Sequence, residues 1–336
     1  MDSRFGRRGF LKGAAATAAT ASIASAAPGN GASSSAIPLR KFGRVGVKLP
    51  ILGYGGAALP KAWANPLSRE DRVKLVRYAH DRGIRYFDTA GNYMESQSII
   101  GEALRDRRKD TFLVSKVETT RETEVRRAVE KSLREMQTDY LDGILIHGTP
   151  GLQQMSIPQA KKIHAELVKL KNEKMVRHIG LSAHGYFDKA LAMIETGGFD
   201  IYMPAFGFIP RGHNQVFSEK MLKLREKSIA KAHELKVALV AMKVVGAGVL
   251  GAWSGYIVPE FEKKDIKELP GAAIRWVLND KRFDMLLIGM RLRHEIDANI
   301  KIITTETKLT SKDKTLLASY SKKAMTRKPM KNMKVE

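Results

Sequence analysis

Four side chains at separated places give this chain its chemistry. They are Asp88 and Tyr93 in Phe87-Asp88-Thr89-Ala90-Gly91-Asn92-Tyr93, Lys116 in Val114-Ser115-Lys116, and His147 in Ile146-His147-Gly148. A phenol with a pKa of about 10 is a poor acid at neutral pH, but a neighbouring ammonium stabilises the phenolate and lowers that value. Lys116 is expected to act on Tyr93 in this way, with Asp88 keeping Lys116 charged and oriented. A buried Asp88–Lys116 ion pair, a strand-end histidine and a loop aromatic would be the structural account of the same residues. The chain has no cysteine, which excludes thiol nucleophiles, Cys-held zinc or iron–sulfur centres and disulfides. The other histidines show no H-E-x-x-H spacing, so no metal site is expected.

Each of the four residues closes or follows a short apolar run, and such runs alternate with amphipathic stretches along the chain. Strands are expected at 49–54, 85–90, 111–117, 142–147, 176–182, 201–206, 237–245 and 285–289. Helices are expected at 69–82, 96–105, 120–137, 157–173, 186–195, 218–235, 270–279 and 295–304. Runs such as Gly143-Ile144-Leu145-Ile146 are continuously apolar, as parallel strands covered on both faces are. Eight such units fit a single-domain (β/α)8 TIM barrel over 38–325, in which reactive side chains sit where strands end and loops begin. Residues 39–49 are expected to form a hairpin closing the barrel bottom, 310–325 a further helix, and the basic tail 326–336 a frayed end.

The N-terminus reads Arg7-Arg8-Gly9-Phe10-Leu11-Lys12, then a mild Ala/Thr-rich run ending in Ala24-Ser25-Ala26. This is the pattern of a twin-arginine (Tat) signal peptide over 1–26, followed by a flexible linker over 27–37. It implies the Tat export machinery as a partner and a periplasmic or otherwise exported destination. The apolar run is too short to span a bilayer, so an integral membrane protein is not expected. The 336 residues carry a net charge of +23; cleavage after Ala26 leaves +20 on the mature chain. That charge raises the possibility of nucleic-acid or envelope-surface binding. Lys161, Lys162, Lys169, Lys171 and Lys174 lie on helix faces without interleaved aromatics, as in a solvated coat rather than a specific nucleic-acid site.

Two stretches imitate a dinucleotide fingerprint, Gly53-Tyr54-Gly55-Gly56-Ala57-Ala58 and Gly246-Ala247-Gly248-Val249-Leu250-Gly251. A Rossmann site needs a helix to start at the glycines, whereas Pro60 and Pro66 follow the first and Pro259 the second. In a barrel, such glycines instead let backbone approach a ligand closely.

From about Arg40 to Thr304 the sequence resembles the aldo/keto reductase family. The resemblance rests on Asp88, Tyr93, Lys116 and His147 in that order, Ser96 and Gly101 in the following helix, Ile179-Gly180-Leu181-Ser182, and Ile288-Gly289-Met290 through Asn299. It implies an NAD(P)-dependent oxidoreductase that reduces an aldehyde or ketone to an alcohol, or the reverse. Tyr93 would protonate a small-molecule carbonyl as hydride arrives, with His147 donating a hydrogen bond to the same oxygen. It also implies NADP as cofactor, with NAD possible. Ser182, Lys243, Gly246, Gly248, Gly289, Met290, Arg291, Glu295 and Asn299 would hold it. The chain departs from the family pattern at Ala183, Met203 and Met242, where two carboxamide partners and a stacking aromatic are usual. It departs again at Glu295, where the 2′-phosphate Arg usually stands. These departures leave open a weakly catalytic or non-catalytic ligand-binding module of the same fold. Trp63, Phe208, Phe217, Trp253 and Tyr256 in the strand-end loops are expected to line an apolar pocket.

Overall fold

A computed structural model describes residues 36–335 of the chain. The expected export signal and the linker up to residue 35 lie outside the described residues. Ile37 is already buried in the core, so the packed body begins just before the first strand.

Two short strands, β1 (Leu39–Lys41) and β2 (Lys48–Pro50), pair antiparallel as a hairpin. Phe42 from its turn is buried and packs edge-on against Tyr86 and Phe112, at 5.7 and 5.6 Å between ring centroids. The hairpin thereby plugs one end of the barrel with an aromatic cluster. Gly43 sits at φ +46°, and a Cβ there would lie 2.4 Å from the Ala238 nitrogen, so only glycine fits this approach.

Eight parallel strands form the closed barrel: β3 (Leu52–Gly55), β4 (Tyr86–Asp88), β5 (Phe112–Val117), β6 (Leu141–Ile146), β7 (Val176–Ala183), β8 (Ile201–Pro204), β10 (Ala238–Ala241) and β11 (Met285–Ile288). Pairing runs in chain order, and β11 returns to β3 through Leu286–Leu52, Leu287–Gly53 and Ile288–Tyr54. Small residues make room for the interior layers: a Cβ on Gly143 would meet Val114 and Ile201, both at 3.1 Å. β9 (Gln215–Val216) lies in the loop after β8.

The covering helices are α1 (Arg69–Asp81), α2 (Ser96–Leu104), α3 (Val125–Glu135), α4 (Ile157–Asn172), α5 (Phe187–Ile194), α6 (Glu219–Glu234), α7 (Ser254–Ile257), α8 (Lys263–Leu278), α9 (Arg293–Thr305), α10 (Ser311–Met325) and α11 (Lys328–Lys331). Ser68, Ser156 and Ser218 cap α1, α4 and α6 by accepting the amide of the third residue beyond. Gly101 lets α2 cross α3 closely, since a Cβ there would lie 2.5 Å from the Met136 carbonyl carbon.

Two expectations are corrected. α8 starts at Lys263 rather than at Pro270, which lies inside the helix. Residues 327–335 of the tail are ordered rather than frayed: α11 buries Met330, and β12 (Lys334–Val335) pairs in parallel with β9. A second apolar cluster under the long loops joins Leu250, Val258, Leu269, Tyr320 and Met330, and the buried Arg275–Asp313 pair lies in the same α8–α10 packing. Among the described residues no helix is long and apolar enough to cross a membrane.

Candidate active site

The parallel barrel brings every strand's carboxyl end to one mouth, and β4, β5 and β6 are consecutive neighbours there. Asp88 ends β4, Lys116 lies near the end of β5, and His147 directly follows β6. Tyr93 stands in the turn between β4 and α2, which is pinned from below. Ser96 Oγ donates to the Gly56 carbonyl at 2.9 Å and accepts from Thr89 Oγ1 at 2.8 Å.

Lys116 is buried and its Nζ donates to Asp88 Oδ2 at 2.6 Å and to the Thr89 carbonyl at 2.7 Å. The same nitrogen lies 4.9 Å from the centre of the Tyr93 ring. Tyr93 Oη is 3.4 Å from His147 Nε2, and the two rings meet edge to face at 5.6 Å. Acid, ammonium, phenol and imidazole thus form one connected group.

Burial works against the Lys116 charge, but the attraction of Asp88, Tyr93 and Glu118 outweighs it and holds the ammonium above its ordinary value. For Tyr93 the balance goes the other way. Burial raises the phenol above its usual value, and the lowering by Lys116 does not overcome it. The expected net depression of Tyr93 is therefore not found, and Tyr93 rests as a protonated donor. Burial pulls His147 down to about 4, with Glu118 opposing and Lys116 adding to the effect, so its ring is neutral at physiological pH.

Ser182 ends the same rim on β7. Its Oγ accepts the Gly148 amide at 2.9 Å and keeps its own hydrogen to donate. Beside it His184 is buried, 6.0 Å from the His147 ring, with Nδ1 unpartnered among the described residues. On the opposite side, past β10 and β11, the expected residues divide. Lys243 (φ +61°) has no ion-pair or hydrogen-bond partner among the described residues, and burial followed by repulsion from Arg211 lowers it to about 8. Asn299 is buried on α9 with its amide equally free of a partner.

The remaining residues are engaged within the protein. Glu295 Oε2 accepts the amides of Arg291 and Leu292 at 2.5 and 3.1 Å, capping α9. Arg291 donates to the Trp63 carbonyl at 3.0 Å, and Tyr54 donates to the Met290 carbonyl at 2.7 Å. Gly246 and Gly248 adopt φ +60° and +91°; a Cβ on Gly248 would lie 2.2 Å from Trp253, so this glycine answers to Trp253 packing. Gly289 packs against Ala58, whose Cβ would be 3.0 Å from an added Cβ.

The pocket expectation is also refined. Trp63 meets Tyr93 edge-on at 5.3 Å, whereas Phe217 is buried against Phe187, Phe208 packs on Trp276, and Tyr256 is exposed. One further site residue had no signal in the sequence. Glu118 places Oε1 3.6 Å from His147 Nδ1 and accepts the Asn92 amide at 3.1 Å.

A closed parallel barrel with an Asp–Lys–Tyr–His group at its carboxyl mouth defines a barrel oxidoreductase class. The chain belongs to the aldo/keto reductase family, whose model matches residues 51–265. It is 24% identical over 287 residues to an L-galactose dehydrogenase from Arabidopsis thaliana, covering 80% of this chain and 88% of that one. It is 29% identical over 157 residues to a probable aldo-keto reductase 1 from Glycine max, covering 42% of this chain but only 44% of that protein. Its fold superposes with a TM-score of 0.61 on an aldo/keto reductase from Klebsiella pneumoniae in complex with NADP and acetate, at 19% identity, over 83% of this chain and 93% of that one.

Proposed function

We propose that the protein is an exported, NADP(H)-dependent reductase of a small aldehyde or ketone, working in either direction. The observation that carries this reading is the connected group in which Lys116 bridges Asp88 and Tyr93 while Tyr93 faces His147. The Klebsiella relative's NADP and the family assignment support the choice of cofactor. The residues here fit a dinucleotide: Lys243 and Asn299 offer an ammonium and an amide that no group among the described residues satisfies, and Ser182 has a hydroxyl hydrogen to donate. Glu295, bound to its own helix terminus, gives a 2′-phosphate no cation, so the candidate for that role is Arg293, which opens α9 with its guanidinium 5.0 Å from the centre of the Tyr78 ring.

When bound, the nicotinamide supplies or accepts the hydride. The protein's part is proton handling and orientation. Tyr93, kept protonated by burial, gives its proton to the developing alkoxide, and the Lys116 ammonium stabilises the phenolate left behind. Asp88 keeps that ammonium in place. Trp63 beside Tyr93 favours a substrate with an apolar face at the carbonyl.

The export assignment rests on the twin-arginine sequence of residues 7–12 and the Ala24-Ser25-Ala26 cleavage pattern. Fluorescence titration of the purified chain with NADPH and NADH tests the enzymatic reading. Saturable quenching, tighter for NADPH, is expected; a folded protein that binds neither overturns it. Cell fractionation of the full chain beside an Arg7→Lys, Arg8→Lys variant tests export, and equal distribution of the two refutes the signal.

A further inference from the structure

We propose that the substrate carries a carboxylate, and that Arg211, at the far end of a row of imidazoles leading away from Tyr93, selects for it. This deepens the reductase reading above and rests on it.

The row runs along the barrel mouth. His147 meets Tyr93 at 5.6 Å between ring centroids, His184 meets His147 at 6.0 Å, and His213 meets His184 at 6.4 Å. His213 and Arg211 belong to the loop after β8, which folds into a small turn: Arg211 and Val216 pair antiparallel, and the Gly212 amide donates to the Gln215 carbonyl at 2.9 Å. The end of β7 braces that turn. Gln215 Nε2 donates to the His184 carbonyl at 3.2 Å, and a Cβ on Gly212 would lie 1.8 Å from the same oxygen. On the other side β12 pairs with β9. Backbone contacts therefore fix Arg211 beside the rim that carries Ser182 and His184.

The protein does not answer the charge of Arg211. Its Nη2 donates to the His213 carbonyl at 2.9 Å, its Nε is buried with no partner, and among the described residues no carboxylate pairs with it. Burial pulls the guanidinium below its usual value. Lys243, which feels the repulsion of Arg211, is likewise without an acid. Burial, then Lys243, holds both His184 and His213 below their usual values, so these rings are neutral. Glu118, the acid nearest the row, lies at its other end, 3.6 Å from His147. The loop end of the mouth is thus net positive.

A guanidinium with unengaged N–H groups binds a carboxylate through charge-assisted hydrogen bonds, and neutral imidazoles add N–H donors. An oxo acid whose carbonyl oxygen rests at Tyr93 and His147 extends its carboxylate along the row toward Arg211. A neutral aldehyde leaves the guanidinium without an acceptor. Trp63, the other ring against Tyr93, supplies apolar contact, so the fitting substrate has an apolar middle and an anionic end.

The test compares two pairs of aldehydes on the full chain with NADPH: para-carboxybenzaldehyde against para-tolualdehyde, and succinic semialdehyde against pentanal. In the wild type the carboxylate member of each pair should have the higher kcat/KM. Arg211→Met keeps the reach of the side chain and removes its charge. The preference ratio should then fall about tenfold to a hundredfold, as for loss of a charge-assisted hydrogen bond, chiefly through KM, and Arg211→Lys should return part of it. General damage to folding or catalysis lowers both members of a pair and cancels in the ratio. A wild-type ratio near one overturns the proposal, a readout that stands even if no Arg211 variant folds. An unchanged ratio in the Met variant also overturns it; weaker NADPH binding by that variant then assigns Arg211 to the dinucleotide. Calorimetric titration with the two aromatic aldehydes, without NADPH, reads the preference with no turnover. A preference that depends on Arg211 in a protein that reduces neither aldehyde sinks the reductase reading and leaves the carboxylate site standing.

Discussion

The two sides of the barrel mouth differ in how completely their polar groups satisfy one another. On the β4–β6 side, Asp88, Lys116, Tyr93, His147 and Glu118 touch in sequence and are held by the Thr89, Asn92 and Ser96 backbone and side-chain contacts. On the β10–β11 side, Lys243 and Asn299 stand without partners among the described residues, while Glu295 and Arg291 are committed to the α9 terminus and the Trp63 carbonyl. One side is preorganised chemistry. The other offers unengaged groups that the proposed function assigns to an anionic dinucleotide.

Tyr93→Phe should produce the sharpest split between the two sides. Loss of a positioned proton donor lowers carbonyl reduction about 10²–10⁴-fold, while dinucleotide titration remains as in the wild type. An active Phe variant would remove Tyr93 from the donor role. Lys116→Met tests the preorganised side's dependence on pairing. Removing one partner of a buried ion pair costs about 3–5 kcal/mol, so its denaturant midpoint should fall sharply. An Asp88→Asn, Lys116→Met double variant should regain much of the stability without regaining activity.

The depressed His147 pKa gives the same side a pH signature. The unfolded ring protonates near 6.5 and the folded one near 4. Between those values the unfolded chain binds more protons, so stability present above pH 6.5 is lost as pH falls toward 4. At about 1.4 kcal/mol per unit, His147 contributes roughly 3 kcal/mol to that loss, and His147→Asn should flatten this part of a urea-midpoint-against-pH curve. A variant curve as steep as the wild type's would refute the burial account. The smallest effect is expected on the other side. Lys243→Ala should weaken dinucleotide binding about tenfold, equivalent to about 1.4 kcal/mol, and make it less salt-dependent. Saturating cofactor should restore kcat. A kcat that stays low would place Lys243 in the chemistry instead.

All eight barrel strands were legible because a short, mainly apolar run between amphipathic stretches needs no long-range information to declare itself. The start of α8 was not: Pro270 reads as a helix beginning, but the apolar face contributed by Leu269, Ala272 and Ala273 keeps one helix running through it. The ordered tail was hidden too, since β12 pairs with β9, more than a hundred residues earlier in the chain. Glu295 was read through its place in the family pattern as a cofactor contact. A glutamate in the first turn of a helix is also a cap, and its distances to the Arg291 and Leu292 amides show it in that role.

The sequence alone determined the barrel, the order of Asp88, Tyr93, Lys116 and His147, and the absence of thiol chemistry, because period, residue type and order are local properties. Only the tertiary structure decided how those groups stand electrically. Burial keeps the Tyr93 proton on against the pull of Lys116 and keeps His147 neutral. It also set Glu118 against His147, the residues that directly follow two neighbouring strands, since desolvation and cross-strand distance exist only once the barrel has closed.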